Sequence, residues 1–267
     1  MNVPWSGAAL GTDDLFNLFA HRRPVLIALV GAHDTGKTTL LVGSYLSLIK
    51  GSALAGASFC GSRTLEAWES LAAWVRLEKG NPSFPPHTPR GSGRVPGLLH
   101  VALRNGEGEY RDIVFTDAPG EWFSSWAVNE DAEDAKGAQW IAEHADAFLI
   151  VADGMRLSGA ERGRARHELR QLVERLGRHI RGRPTVFVWA KSDQQPVETI
   201  KDAIRVAVRE HLPHAREIES TTNHPDTLNT AVGEAVAAAW NPPLFGREIG
   251  IPRIDAVPFN VYRGHHG

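Results

Sequence analysis

Cysteine is almost missing from this chain of 267 residues: Cys60 stands alone. No intramolecular disulfide can form and no cysteine-held metal cluster can assemble, so a reducing, cytoplasmic setting is expected. No uncharged apolar run approaches the roughly 18 residues that a membrane-spanning helix needs. The start of the chain carries Asp13 and Asp14 where a leader peptide would show a basic-then-apolar pattern. An excess of charge of either sign is lacking too, with 29 basic against 31 acidic residues. The whole-molecule field therefore favours neither nucleic acid nor an anionic membrane, and such a partner would need a local patch. There is no internal repeat.

What is present is a 42% hydrophobic composition, enough to bury a full core. A single domain is expected over 1–267, with its core at about 24–240, an insertion at about 51–97 and an irregular tail at 241–267. Apolar runs at 24–30, 98–104, 110–116, 147–152 and 185–190 read as strands. Helical patterns at 38–49, 64–79, 130–144, 159–181, 197–211 and 225–240 alternate with them. Such alternation builds a mainly parallel sheet covered on both faces. Asn105-Gly106-Glu107-Gly108 joins two of the runs into a hairpin. Ser158-Gly159-Ala160-Glu161 reads as a capping box opening the long helix, whose stripe is Leu169, Leu172, Val173, Leu176 and Ile180. Nine arginines fall between Arg156 and Arg183 against Glu161, Glu168 and Glu174, forming either a solvated face or a surface for an anionic partner. The segment 81–97, rich in Pro, Gly and Ser, reads as a long functional loop. His265 and His266 read as a solvated end.

The first strand runs into Gly31-Ala32-His33-Asp34-Thr35-Gly36-Lys37-Thr38, a Gly-x4-Gly-Lys-Thr sequence followed by Thr39 and a buried helix. Glycines let such a loop turn tightly and aim consecutive N–H groups at phosphate oxygens, beside the positive end of the helix. Lys37 would reach the outer phosphates of a nucleoside triphosphate, and the Thr38 hydroxyl would bind Mg2+. After the hairpin comes Asp117-Ala118-Pro119-Gly120-Glu121. As a nucleotide element, Asp117 would hold Mg2+ through a water and Gly120 N–H would sense the terminal phosphate, making the next segment a switch; as a bland element it is a turn. At the end of the 185–190 strand stands Trp189-Ala190-Lys191-Ser192-Asp193, which resembles the Asn-Lys-x-Asp base-recognition motif of GTPases. One carboxylate at Asp193 can accept both guanine N1–H and the 2-amino group, whereas adenine offers an acceptor there. Lys191 would lie across the base. Ala190 departs from the pattern by replacing its asparagine, which puts affinity in doubt.

The three motifs in this order, with the hairpin before the second, resemble the translation-factor-related (TRAFAC) class of P-loop GTPases over about 25–222. Gly61-Ser62-Arg63-Thr64-Leu65, the Thr88-Pro89 loop and Asp117-Ala118-Pro119-Gly120-Glu121 look more narrowly like a bacterial double-GTPase family. The resemblance implies an α/β fold of the three-layer P-loop NTPase (Ras-like GTPase) type. Its sheet would be mostly parallel, with one antiparallel hairpin strand and an insertion between the phosphate loop and the hairpin. It implies GTP/GDP and Mg2+ as ligands, and a protein partner, a second GTPase, in a bacterial multi-gene system for defence or signalling. It implies a switch I threonine covering the metal, for which Thr88 is the choice and Thr64 the reserve, and a further base contact from Ser220 or Thr221.

Glu121 occupies the place where many small GTPases carry glutamine, so it would orient the attacking water if its negative charge were offset. His33 replaces a glycine common in small GTPases; it would either donate to the phosphate or catalytic water, or point outward. Asp34 is expected to face solvent. Arg63, Arg90 and Arg94 lie near the segment that would fold over the nucleotide, and a partner could supply an arginine instead. The reading is a slow GTPase switch accelerated by assembly. Its alternatives are a P-loop ATPase, or a nucleotide-binding interaction module that docks through the arginine-rich helix.

Overall fold

In the computed structural model of the protein, residues 9–12, 14–15, 23–75, 97–194 and 196–240 are described. Strand β1 (Val25–Val30) leads through the phosphate loop into α1 (Lys37–Ile49). The inserted segment carries β2 (Ser58–Gly61) and α2 (Leu65–Val75) ahead of the hairpin β3 (Gly97–Arg104) and β4 (Tyr110–Asp117). Then come α3 (Gly120–Val128), a 3-10 turn (Glu133–Ala135), α4 (Lys136–His144), β5 (Ala147–Asp153), the short α5 (Gly154–Ser158) and the long α6 (Arg162–Ile180). The described chain closes with β6 (Thr185–Ala190), α7 (Glu198–His211), β7 (Arg216–Ser220) and α8 (Pro225–Ala239).

The seven strands form one sheet in the order β2-β3-β4-β1-β5-β6-β7. β1 pairs in parallel with both β4 and β5, and β5-β6-β7 continue in parallel. β3 is antiparallel to both its neighbours, so it is the one reversed strand, as the hairpin predicted. Because side chains alternate along a strand, Leu26, Ala28 and Val30 join the core under α3, α4, α6 and α7. Val25, Ile27 and Leu29 join the opposite core under α1, α2 and α8. All six residues of β1 are therefore buried, as expected for a strand with parallel neighbours and helices on both faces. The fold is thus the expected three-layer α/β arrangement. No helix among the described residues is long and apolar enough to cross a membrane.

Several local expectations change. β2 was unread because its positions alternate only between exposed and half-buried, leaving no apolar signal. The segment after Asp117, read from sequence as a switch, forms helix α3, with Phe123 and Trp126 on its buried face. The helix expected from 130 begins only at Lys136, after the 3-10 turn. The capping box is not formed. Asp153 Oδ1 accepts from Met155 N and Arg156 N at 2.9 and 3.2 Å, which starts a separate helix one turn early. Ser158 therefore falls at the end of α5, where its hydroxyl donates to Met155 O at 3.1 Å. The α6 stripe is buried as expected. Much of the arginine-rich stretch is structural: Arg156 and Arg164 both bond Glu168, Arg175 bonds Glu130, and Arg178 bonds Glu174. Arg183 donates to the carbonyls of Ala142, Ala145, His179 and Ile180 at the ends of α4 and α6. Arg162, Arg166 and Arg170 remain exposed along α6. The 81–96 part of the proline-rich loop, the 241–267 tail, His265 and His266 lie outside the described residues.

Trp68 anchors α2. Its indole stacks on Tyr45 at 4.9 Å, meets Phe115 edge-on at 6.3 Å, and donates from Nε1 to His100 O at 2.8 Å. Truncation leaves a large cavity and removes one of the donors to the His100 carbonyl, which Ser62 Oγ still meets at 2.6 Å, so Trp68→Ala is expected to cost about 3–5 kcal/mol in chemical denaturation, mostly through the cavity. A loss below 1 kcal/mol would show that α2 is not held by this residue.

Candidate functional site

The carboxyl ends of β1, β4, β5 and β6 come out on one edge of the sheet, because their parallel registers run side by side. In open α/β sheets this edge is where ligands bind. A cleft of about 570 Å3 opens there. It is lined by His33, Asp34, Thr35, Gly36, Lys37, Thr38 and Thr39 from the phosphate loop, by Gly120 and Glu121, and by Lys191, Asp193 and Ser220. The three motifs, far apart in sequence, thus border a single space.

Gly36 adopts φ 95° directly before α1, a left-handed conformation that glycine enters without penalty. No side chain caps the helix, so its first N–H groups are directed to the cleft end of the loop. Lys37 Nζ donates to Gly31 O and Ala32 O, both at 2.9 Å. Two of its three N–H groups are thereby used to hold the loop's curve. Burial lowers the pKa of Lys37 to about 8, against the raising influence of Asp117, Glu121 and Asp34. Thr35 Oγ1 closes the loop on Ala32 O at 3.1 Å. Thr38 Oγ1 donates to Asp117 Oδ1 at 2.9 Å, bringing two hard oxygen ligands together at the inner wall.

At the other end of the cleft, Lys191 Nζ donates to Asp34 O and pairs with Asp153 Oδ2, both at 2.8 Å. Asp34 and Lys191 both sit at positive φ, 60° and 56°, and this bond ties the two strained turns together. The Asp34 carboxylate is more than half exposed, as expected. Asp193 accepts from Thr221 Oγ1 at 2.7 Å and from Gln194 Nε2 at 3.2 Å. The Thr221 hydroxyl, followed by the Gln194 amide, holds the Asp193 carboxyl below the usual aspartate range, so it is an acceptor at neutral pH.

Two assignments change. Ser220 lines the cleft, but its hydroxyl is enclosed without a partner among the described residues; its carbonyl accepts from Ser192 N at 3.0 Å, and Thr221 is the residue that reaches Asp193. Thr64 is fully buried and accepts from His100 N at 2.9 Å, which removes it as a switch threonine. Thr88, Arg90 and Arg94 lie outside the described residues. His33 meets Asp34 and Glu121, at 3.3 and 3.4 Å. Asp153 shares with Asp117 only its place at a strand's carboxyl end; it stands one residue past the 147–152 run and lacks the Asp-x-x-Gly spacing, so position on the sheet is its one sequence signal. Met155, Gln194 and Thr222 also line the cleft and carried no sequence signal.

No curated protein matches this chain. Among solved structures, one described as nucleolar GTP-binding protein 1 from Plasmodium falciparum is 11% identical over 82% of this chain and 87% of its own, with a TM-score of 0.48, a likeness too slight to carry an argument. The profile of the family described as Double-GTPase 2 matches residues 25–241, which takes in all three motifs and every described lining residue of the cleft, and the chain belongs to that family.

Proposed function

We propose that this chain is a Mg2+-dependent GTP-binding and GTP-hydrolysing switch built as a single domain. The observation that carries the reading is the shared cleft: phosphate loop, Asp117–Glu121 element and Lys191–Asp193 loop open onto one space. Membership of a GTPase family supports guanine-nucleotide binding. The phosphates would lie on the N–H groups of residues 33–38, with the remaining N–H of Lys37 on the outer ones. Thr38 Oγ1 and Asp117 Oδ1 suit Mg2+, with Thr88 as the choice for a third oxygen. When bound there, Mg2+ offsets charge on the outer phosphates. Asp193 would accept from guanine N1–H and the 2-amino group, since each of its oxygens keeps a lone pair beyond those engaged by Thr221 and Gln194. The bracing lost with asparagine at Ala190 is supplied by Lys191, which links Asp153 to the phosphate loop.

Among the described residues that line the cleft there is no arginine. Intrinsic hydrolysis is therefore slow in this reading, and a protein partner accelerates it, a second GTPase in a bacterial multi-gene system of defence or signalling, acting in the cytoplasm. Competition of GTP and ATP for the purified protein with Mg2+, following bound nucleotide directly, tests the core of the reading. GTP preference supports it; ATP preference replaces it with an ATPase.

Asp193→Asn exchanges an acceptor for a donor at the base edge, so preference is expected to move from guanine toward xanthine nucleotides by at least tenfold, in line with about 1.4 kcal/mol for one reversed hydrogen bond. Unchanged preference in the same competition assay would remove Asp193 as base reader. Lys37 gives a second expectation. Its folded pKa of about 8 lies below lysine's ordinary 10.5, so the buried charge penalises the nucleotide-free fold fully below pH 8, by about 3 kcal/mol, and the penalty fades as pH rises toward 10.5. Lys37→Met is expected to abolish triphosphate binding and to raise the thermal midpoint of the nucleotide-free protein at pH 7. A lowered midpoint would show that the ammonium stabilises the empty loop.

A further inference from the structure

A phosphate cradle is made of backbone N–H groups, and nothing in that task calls for an imidazole. Yet this loop carries His33, and the fold sets it against the Asp117–Glu121 element. His33 Nδ1 lies 3.4 Å from Glu121 Oε1, and its Nε2 lies 3.3 Å from Asp34 Oδ2. The approach is enforced by backbone packing: a Cβ on Gly120 would fall 2.3 Å from Ala32 C and His33 N, so the two segments touch main chain to main chain. Both side chains line the cleft and are part-exposed, 44% for His33 and 39% for Glu121, so the pair is open to whatever occupies it. Neither belongs to the Thr38–Asp117 pair.

We propose that His33 is a positioning residue for hydrolysis, holding Glu121 in the orientation from which it receives the attacking water. The inference rests on the GTPase reading above. A free carboxylate beside the terminal phosphate is repelled by it and would swing outward. A ring N–H facing one carboxylate oxygen restrains that swing and draws off part of the negative charge. A contact of 3.4 Å is long for a hydrogen bond, and catalytic contacts of this kind shorten when substrate fills the site. In the reaction the water oxygen bonds to the γ-phosphorus as the bond from that phosphorus to the β–γ bridging oxygen breaks. The bridging oxygen leaves on GDP with the electron pair. One water proton stays on the phosphate product, and the other passes by way of Glu121 to solvent. His33 gains and loses no proton in this sequence.

Single-turnover hydrolysis of Mg-GTP, with the affinities for GDP and a non-hydrolysable triphosphate measured alongside, tests the pair in wild type, His33→Ala, His33→Asn, Glu121→Gln and the His33→Ala/Glu121→Gln double variant. His33→Ala is expected to slow turnover by about tenfold to a hundredfold while both affinities stay within about threefold. His33→Asn, whose amide N–H can stand near the position of Nδ1, should recover most of the rate. His33→Ala should cost less in the Glu121→Gln background than in wild type, because the neutral amide is not repelled by the phosphate and needs less restraint. Losses that multiply in the double variant, affinity falling in step with rate, or wild-type turnover in His33→Ala would each overturn the role of His33 while leaving the GTPase reading intact. A wild-type protein that binds GTP but never cleaves it would remove hydrolysis, and this pair with it.

Discussion

Parallel pairing of β1 with β4 on one side and β5 on the other is the constraint on which the rest of the structure depends. A strand in that position must be apolar on both faces, and Val25–Val30 is. Once it is held, the chain segments that leave β1, β4 and β5 have to emerge at the same edge. Gly31, Asp117 and Asp153 stand at or just past the carboxyl ends of those strands, so the phosphate loop, the segment that closes on it and the aspartate that braces it converge without any contact between them being encoded locally. β6, paired in parallel with β5, brings Lys191 and Asp193 to the same place.

The charges at that edge are arranged in opposed pairs. Lys37 is buried inside its own loop and lowered in pKa by that burial, which leaves the empty site short of anions that a triphosphate would supply. Lys191 is pinned between a buried aspartate and a main-chain carbonyl, so it serves the geometry of the base end as much as its charge. Asp193 is kept ionised by a hydroxyl and an amide rather than by a cation, which leaves its negative charge available to a ligand. Glu121 is the group that a phosphate would repel, and His33 stands 3.4 Å from one of its oxygens.

The segment between the phosphate loop and the hairpin is tied to the sheet through one small buried network. His100 on β3 accepts from Arg63 N through Nδ1 at 2.9 Å, which leaves Nε2 to donate to Asp112 at 2.8 Å. Its main chain receives Thr64 and Trp68 from the turn and helix that follow β2. The bond to His100, opposed by burial, holds the Asp112 carboxyl below its ordinary range. Because β3 pairs with β4 along its whole length, this network and Asp117 share one rigid hairpin. In the arginine-rich helix, Arg164, Arg175 and Arg178 are paired with neighbouring acids, while Arg162, Arg166 and Arg170 stay exposed.

The strands of the sheet core, the long helices and the hairpin were legible because periodicity and turn residues are local properties: Leu169, Leu172, Val173 and Leu176 read as a stripe whatever they pack against. The phosphate loop and Asp193 were legible for a related reason, since a short run of fixed residue types carries its own chemistry. β2 was not, because a half-exposed edge strand has no apolar period of its own and exists only through its partner β3. Ser158 failed as a cap because Asp153, five residues upstream, competed for the start of a helix. By itself the amino-acid order determined the fold class and the three short motifs that border the cleft, all set by spacing along the chain. Only the tertiary structure decided that Thr221 rather than Ser220 supports Asp193, that Asp153 braces Lys191, and that His33 meets Glu121. Those pairings join residues separated by 28, 38 and 88 positions, and only strand register brings such partners within reach.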